Sequence, residues 1–520
     1  MDNKWWTLIA VCTGTFMLLL DVTIVVVAQP AIQAGLHASF SDVQWTLDAY
    51  ALTLASLLLT SGVLADRYGR KRLFAIGLTI FTLGSLLCGL AASPLMIILS
   101  RCGQGIGGAI VFATSLALLG HSFRGKDRGT AFGIWGAVTG IATAAGPVLG
   151  GLITTGWDWR GIFLVNIPIG IFALAVTVWR VEESRSAQPA PPDWAGFVLL
   201  TAGLVSLIYG LIRASETSWT DTGVLSFVAV GIVLLAAFVV AETRVTNPMF
   251  DVRLLRVPTF AGGSIAAFAM NGSLYAVLLY LVIYLQDILG FSALGAGLRV
   301  SVITLATLVT ATAAGRLSEY MPVRWLIGPG LLLVGIGLVV MAGLTGTSSW
   351  TYLVPGFIIA GLGSGLVNPP LASTAIGVVP PHQAGMASGT NATFRQIGIA
   401  TGIAALGSIF VSAMQSHLAA ALPRPLAGSA AMIAAAVRQG SVGRVLASLP
   451  AADRGATALA LRSSFASGLG DLLYITAALA LVGGVCALLL IRSKDFVKRE
   501  GAAPRTAQAP DSPAPARART

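Results

Sequence analysis

The sequence predicts an all-α integral membrane protein with about fourteen transmembrane helices, because apolar runs of about 20 residues recur along the chain. Of the 520 residues, 56% are hydrophobic and only 10% are charged, whereas a soluble domain carries about 25% charged residues. The 60 glycines also suit membrane helices, since small residues let helices pack closely. A chain of this composition lacks the polar side chains that a water-soluble surface requires.

The predicted spans form groups of six, two and six. Their approximate limits are 5–28, 45–64, 73–92, 95–119, 129–154 and 161–180, then 194–212 and 222–241, then 259–288, 293–315, 325–345, 351–377, 384–415 and 471–491. We therefore predict an N-terminal six-helix bundle over 1–185, two inserted helices over 186–245, and a C-terminal six-helix bundle over 246–499. The last bundle includes a long extracytoplasmic loop over 416–470. Residues 500–520 are predicted to be a disordered cytoplasmic tail.

The basic residues predict how the chain is oriented. They concentrate in the even-numbered loops, for example at Lys71 and Arg72 after span 2 and at Arg124 after span 4. Cytoplasmic loops carry such an excess of Lys and Arg. The chain is therefore predicted to cross the cytoplasmic membrane many times, with both termini in the cytoplasm. The loop 416–470 also carries Arg residues, but a loop of this length crosses largely regardless of charge.

Composition and motifs argue against several classes of protein. The net charge is +11, but no basic run alternates with aromatic residues as in proteins that bind nucleic acids. Four scattered cysteines and four scattered histidines form no metal-binding spacing. The sequence contains neither an HExxH segment nor a Walker loop. We therefore expect no enzyme activity, no metal and no ATP-driven transport.

An acid and a base occupy matching positions in two predicted spans. Asp21 lies about seven residues from the outer end of span 1 and Arg101 about six from that of span 4, so both lie roughly 10 Å deep. A charge at this depth usually faces a partner or a wet cavity. The cation would favour the charged form of Asp21 and burial the neutral form, which predicts a proton-binding site. A static structural ion pair is the alternative.

A second carboxylate, Asp48, lies near the outer end of span 2. One interpretation is a second protonatable group that attracts cations at the cavity mouth. The other is a side chain that is simply solvated at the membrane surface. Asp21, Arg101 and Asp48 together are the predicted proton-coupling residues.

The loop between spans 2 and 3 is GVLADRYGRKR, residues 62–72. Glycine permits a tight turn and close helix approach. Asp66 can face a helix N-terminus, and the cations can pair with acids on a moving neighbour. A basic loop alone would not need this spacing. The segment GRLSEYMPVR after span 10 is a weak echo of it, and internal repeats are typical of secondary transporters.

This loop resembles, along its whole length, the signature G-x-L-a-D-r-x-G-r-k-x-l of the major facilitator superfamily. The resemblance implies the major facilitator fold, with two six-helix bundles around a central cavity. It also implies a gate that locks the cytoplasmic side in the outward-facing state. The implied gate residues are Gly62, Asp66, Arg67, Gly69 and Arg70.

Span 5 carries a further element that is similar to a motif of the same superfamily. Gly146, Pro147, Gly150 and Gly151 match G-P-x-x-G-G, which is associated with antiporters. Close helix packing is the simpler explanation of such glycines. Residues 157–168 resemble a segment of the fourteen-helix drug:proton antiporter branch, although Asp158 replaces an Arg there.

Four polar residues within or next to matching elements are candidates for the cavity wall. They are Gln104 in span 4, Asn166 in span 6, and Asn391 and Arg395 in span 13. Arg395 would lie near the middle of the membrane, where a cation needs an anion, carbonyl groups or water.

The resemblance implies a proton-coupled antiporter that exports small hydrophobic or cationic molecules by alternating access, as in multidrug or antibiotic efflux. A symporter or a metabolite exporter of the same fold is the alternative, and the direction of substrate movement separates the two. The implied partners are a small-molecule substrate, protons and the lipid bilayer. No cofactor and no nucleic acid are expected, and the protein is expected to be a monomer.

Overall fold

The computed structural model describes residues 3–123, 125–185, 191–246, 248–318, 320–379, 384–422 and 451–496. This part of the chain folds into sixteen α-helices. They are α1 (Asn3–Leu36), α2 (Phe40–Tyr68), α3 (Arg70–Gly89), α4 (Pro94–Ser122), α5 (Gly125–Gly156), α6 (Gly161–Leu164), α7 (Asn166–Arg180), α8 (Trp194–Glu216), α9 (Thr222–Glu242), α10 (Pro258–Met270), α11 (Ala276–Ile283), α12 (Ala293–Leu317), α13 (Arg324–Met341), α14 (Val354–Gly377), α15 (Ala384–Ala421) and α16 (Ala451–Leu490).

Within the described residues, 14 helical segments are long and apolar enough to cross a membrane, which confirms the predicted fold class. α6 and α7 together form one segment, Gly161–Arg180. α10 and α11 form another, Pro258–Ile288. The second is interrupted by a π-helical turn over Asn271–Tyr275 and ends in another over Tyr284–Ile288. Such turns are frequent at functional sites.

Polar residues at the helix ends satisfy backbone amides that a helix leaves unpaired. Ser39 and Asp42 form a capping box at the start of α2. Ser93 accepts a hydrogen bond from the Met96 amide at the start of α4. Gly69 separates α2 from α3 with φ of 117°, a conformation that L side chains rarely adopt.

The helices form two groups that meet along two seams. α1–α7 pack mainly on one another and are called the first helix group; α10–α16 are the second helix group. α5 packs on α12 along one seam, and α2 packs on α15 along the other. α8 and α9 form a hairpin whose α8 contacts both α2 and α15. The inserted hairpin therefore lies beside the α2–α15 seam.

The two helices that flank the predicted loop 416–470 extend further into it than predicted, so the structure corrects both helix bounds. α15 continues to Ala421, and α16 begins at Ala451 instead of near residue 471. Both extensions are rich in Ala, the residue with the highest helix propensity. His417 and Asp471, 2.8 Å apart, link the two helices. Residues 423–450 and the predicted tail 500–520 lie outside the described residues.

The two helix groups are joined by hydrogen bonds at one membrane end and by close packing toward the other. We call the end that carries residues 62–72 the motif end. At the opposite end, the Leu294 amide donates to Thr155 Oγ1 at 3.0 Å, and Gln286 Nε2 donates to the Val27 carbonyl at 2.8 Å. Toward the motif end, a Cβ added at Gly389 of α15 would lie 2.7 Å from Leu59 Cδ2 of α2. The two helix groups therefore also contact each other toward the motif end.

Candidate functional site

Asp21 lies at the centre of a buried polar cluster in the first helix group. Its side chain is 0% exposed, and Oδ2 accepts from Arg101 Nη1 at 2.5 Å. Oδ1 accepts from Gln104 Nε2 at 3.2 Å and from Asn166 Nδ2 at 3.0 Å. Both amides also donate to Ser85 Oγ, at 2.6 and 3.3 Å. Side chains from α3, α4 and α7 thus converge on one carboxylate of α1.

The Arg101 guanidinium separates Asp21 from the central cavity. It is 1% exposed, and its Nε donates to the Thr46 carbonyl at 3.0 Å. The ring centroid of Tyr50 lies 4.3 Å from the guanidinium carbon, a distance at which a cation is attracted to an aromatic face. Arg101 and Tyr50 both line the cavity. Arg101 therefore lies between the cavity and the carboxylate.

Asp48 is not solvated, so that interpretation of the sequence is wrong. Its side chain is 0% exposed, and neither carboxylate oxygen has a hydrogen-bond partner among the described residues. The α2–α15 seam covers this part of α2: one turn earlier, Gln44 donates to the Ile403 carbonyl at 3.0 Å, and Tyr280 donates to the same carbonyl at 3.0 Å. Burying an ionised carboxylate without a donor costs several kcal/mol.

Glu183 closes the turn between α2 and α3, although the sequence pattern does not single it out. Its carboxylate accepts from the amide of Lys71 at 3.0 Å and from that of Arg72 at 3.2 Å. Negative charge is favoured at a helix N-terminus such as this. A Cβ added at Gly69 would lie 2.7 Å from the same carboxylate. The acid at this helix N-terminus is therefore Glu183 and not Asp66.

Asp66 pairs with a neighbour one helical turn away. Arg70 donates to Asp66 Oδ1 from Nη2 at 2.7 Å and from Nε at 2.9 Å. Arg67 lies beside the ring of Tyr68, 5.8 Å from its centroid. A Cβ added at Gly62 would meet nothing within 4 Å. Among the described contacts, these predicted gate residues pair within the first helix group.

Two glycines of α5 pack directly on α1. A Cβ added at Gly146 would collide with Thr23 Oγ1, and one at Gly150 would lie 2.8 Å from the Ile24 carbonyl. Thr23 and Ile24 lie within one helical turn of Asp21. α5 therefore packs on the part of α1 that holds the buried carboxylate.

The next glycine of the motif faces the second helix group. A Cβ added at Gly151 would lie 2.5 Å from Leu294 Cα and 2.6 Å from the Ala293 carbonyl. Pro147 lines the cavity, and its carbonyl packs against Gly297 of α12. One face of the predicted antiporter motif thus forms part of the α5–α12 seam.

We expect Gly151→Val to reduce transport by about tenfold, because a larger side chain overpacks the α5–α12 seam at a cost of about 1–3 kcal/mol. This cost destabilises the state in which the end opposite the motif end is closed. The measurement is substrate flux in vesicles that contain equal amounts of each variant. Gly156→Val is the matched control, since a Cβ at Gly156 on the same helix meets nothing within 4 Å. Equal flux in both variants would contradict a role for the Gly151 contact.

A central cavity lies between the two helix groups. Aliphatic side chains such as Val26 of α1 and Leu278 of α11 form most of its wall. Tyr50, Tyr275 and Gln396 add hydroxyl and amide groups. Among the described lining residues, Arg101 carries the only formal charge. The cavity is therefore apolar, with a cation on one side.

None of the four predicted cavity residues lines this cavity, which corrects that prediction. Gln104 and Asn166 are 0% exposed and bind Asp21 instead. Asn391 is buried, and Arg395 is half-buried. Neighbouring helical residues point about 100° apart, so Gln396 reaches the cavity where Arg395 does not.

Three residues of the site escaped the sequence analysis. Ser85 joins the Asp21 cluster, Tyr50 stacks on Arg101, and Glu183 caps α3. A hydroxyl in an apolar span was the available signal for Ser85, but Thr79 and Thr82 of the same span give the same signal. The other two residues depend on contacts between distant segments. Within the described residues, no group of three His, Cys, Asp or Glu side chains could hold a metal ion.

Comparison with known proteins identifies the chain's relatives. The family model of the Major Facilitator Superfamily matches residues 11–403. The chain is 33% identical to the tetracenomycin C resistance and export protein of Streptomyces glaucescens, over 94% of this chain and 91% of that protein. It is 37% identical to the cephamycin export protein CmcT of Amycolatopsis lactamdurans, over 77% and 83% of the two chains.

Solved structures support the same fold. A bacterial homolog of the human lysosomal transporter Spinster, in an inward-facing and occupied conformation, superposes with a TM-score of 0.65 at 20% identity, over 96% of this chain and 99% of that one. A peptide transporter in complex with sulfate superposes with a TM-score of 0.59 at 15% identity, over 85% and 94%. The chain is a multi-pass membrane protein, and it belongs to the major facilitator superfamily, in the branch that contains drug and antibiotic efflux proteins.

Proposed function

We propose that this protein is a proton-coupled antiporter that exports small apolar molecules, antibiotics among them, across the cell membrane. The Asp21–Arg101 pair carries the proposal, because a buried ionisable pair in a membrane span is a functional site by default. The pair lies directly behind the cavity wall. The antiporter-motif glycines contact α1 beside it. The export and resistance proteins among the relatives support the direction of transport.

In the proposed cycle, a proton from outside binds Asp21. The neutral acid no longer holds Arg101, and the helix groups rock about the cavity. Loss of the proton to the cytoplasm restores the ion pair, and the cavity takes up substrate from the motif end. Each charge that crosses the field contributes about 2.3 kcal/mol per 100 mV, so one or two protons sustain a large export gradient.

Asp48 is the second candidate for carrying a proton. It is buried in the α2–α15 seam without a donor, and a proton on it removes the cost of burying its charge. Opening the opposite end would separate this seam and expose the carboxylate to water. The seam would then close favourably only after Asp48 has bound a proton.

The test of function is transport by the purified protein in liposomes. Tetracenomycin C is loaded on one side, a pH gradient is imposed, and a trapped pH dye reports proton flux. Antiport requires the two fluxes to run in opposite directions. Proton and tetracenomycin C fluxes in the same direction would identify a symporter instead.

The proposed orientation places the motif end and both termini in the cytoplasm. We expect reporter fusions after residues 125, 220 and 440 to report cytoplasm, outside and outside, because the basic residues concentrate in the even-numbered loops. The measurement uses one reporter active only in the cytoplasm and one active only outside. A cytoplasmic signal at residue 440 would contradict the scheme.

A further inference from the structure

The charges around the central cavity restrict what the cavity can carry. This inference rests on the proposed export function and concerns the substrate class, which the sequence leaves open between hydrophobic and cationic molecules. Among the described lining residues there is one cation, Arg101, and no acid. The acids nearest along the chain do not reach the wall. Asp21 lies behind Arg101, and Asp48 is fully buried in the α2–α15 seam.

A second cation lies next to the cavity on the other side. Arg395 of α15 directly precedes the lining residue Gln396 and is close enough to the lining residue Tyr275 for the two to interact electrostatically. Its contact with the protein is weak: Nη2 lies 3.5 Å from the Asn368 carbonyl, and Nε is buried without an acceptor. No carboxylate of the described residues lies within ion-pair distance of it.

A cation inside a membrane protein normally pairs with an anion or with carbonyl groups. Arg101 has an anionic partner in Asp21, whereas Arg395 has no anionic partner in the described part of the chain and only the 3.5 Å contact with the Asn368 carbonyl. We propose that the cavity carries apolar molecules with an acidic group, a carboxylate or a phenolate, and that Arg395 turns from its weak contact with the Asn368 carbonyl toward the cavity to bind that group. The aliphatic wall accommodates the rest of the molecule, and the Arg395 guanidinium repels organic cations, whereas Asp21 neutralises the charge of Arg101.

Because Asp21 is shielded from the cavity, the substrate and the proton do not share a carboxylate. Coupling then acts through the position of α1 and α5, which meet at Gly146 and Gly150. Substrate binding is therefore separable from proton coupling. This separation lets the two proposals fail independently in an experiment.

The experiment compares three probes that share one ring system and differ in charge. They are 9-anthracenecarboxylate, 9-anthracenemethanol and 9-anthracenemethylammonium. Binding to the purified full chain in nanodiscs is measured by equilibrium dialysis against empty nanodiscs, without a pH gradient. We expect the carboxylate to bind at least about tenfold more tightly than the ammonium, as for other charge-assisted contacts. Equal or tighter binding of the ammonium would overturn the proposal.

Arg395→Gln should weaken binding of the carboxylate by about tenfold and change binding of the neutral alcohol by less than about twofold. Arg395→Lys should retain part of the preference, and unchanged binding of the alcohol reports an intact cavity. Arg299→Gln is the matched control, because Arg299 also lies in a span but stacks on Phe291 and Trp350. Unchanged carboxylate binding in Arg395→Gln would exclude Arg395 as the binding residue.

The same panel in an Asp21→Asn background separates the two proposals. If the export function is right, this variant loses pH-driven flux while the preference for the carboxylate persists. A preference for the ammonium together with intact proton-driven export would reject the substrate class alone. Preferred binding of the carboxylate without any proton-driven flux in the wild type would reject the export mechanism alone.

Discussion

Asp21→Asn is expected to abolish uphill transport in liposomes, because an amide of the same shape cannot carry the proton. We expect flux under a pH gradient to fall to the level of empty liposomes, while facilitated movement down a substrate gradient persists. Arg101 keeps its bonds to the Thr46 carbonyl and to Gln104 Oε1, so the variant should still reach the membrane. Asp21→Glu, which retains a carboxyl group, should keep partial coupling.

Asp471→Asn is the matched control, since Asp471 pairs with His417 and lies outside the cluster. The alternative of a purely structural ion pair makes a different prediction. Breaking a buried pair costs about 3–5 kcal/mol, so either single removal would then give poor expression. Removing both Asp21 and Arg101 would restore expression in part. If Asp21→Asn still drives uphill export, the proton site lies elsewhere, and Asp48 becomes the leading candidate.

Asp66→Asn is expected to reduce transport by about tenfold or more without loss of expression, because an exposed ion pair stabilises the fold by only about 0–1 kcal/mol. Asp66, at the motif end, is 43% exposed and pairs with Arg70. We propose that it contacts the second helix group only when this end closes. Loss of the charge would then destabilise one state of the cycle and leave the fold intact. The measurement is flux at matched protein levels.

Asp158→Asn offers a close control for this variant. Asp158 also forms an exposed pair with a nearby arginine, Arg160, at 3.4 Å and 46% exposure, but it lies at the opposite membrane end. We expect this control to transport at the normal rate. Normal export by Asp66→Asn would exclude the proposed gating role.

Several features of the candidate site follow from the sequence because they depend on local spacing. The equal depth of Asp21 and Arg101 follows from the helix rise and the span limits alone, and the structure brings the two side chains together. The sequence predicts a turn at Gly69 because a glycine lies in the loop between spans 2 and 3. The φ of 117° at this position is one that L side chains rarely adopt, so it favours glycine. The number of spans depends on apolar length and is independent of packing.

The sequence alone determined that this chain crosses the membrane in fourteen apolar helices, because hydrophobic length needs no knowledge of neighbours. It also determined which buried acid and base can meet. Only the tertiary structure decided which polar residues face the cavity: Gln104 and Asn166 turn inward to Asp21, and Gln396 lines the wall. It also decided that Asp48 is buried, because the α2–α15 seam that covers it joins segments far apart in the chain. Exposure of a side chain depends on which helix packs over it, and that arrangement is not encoded in local spacing.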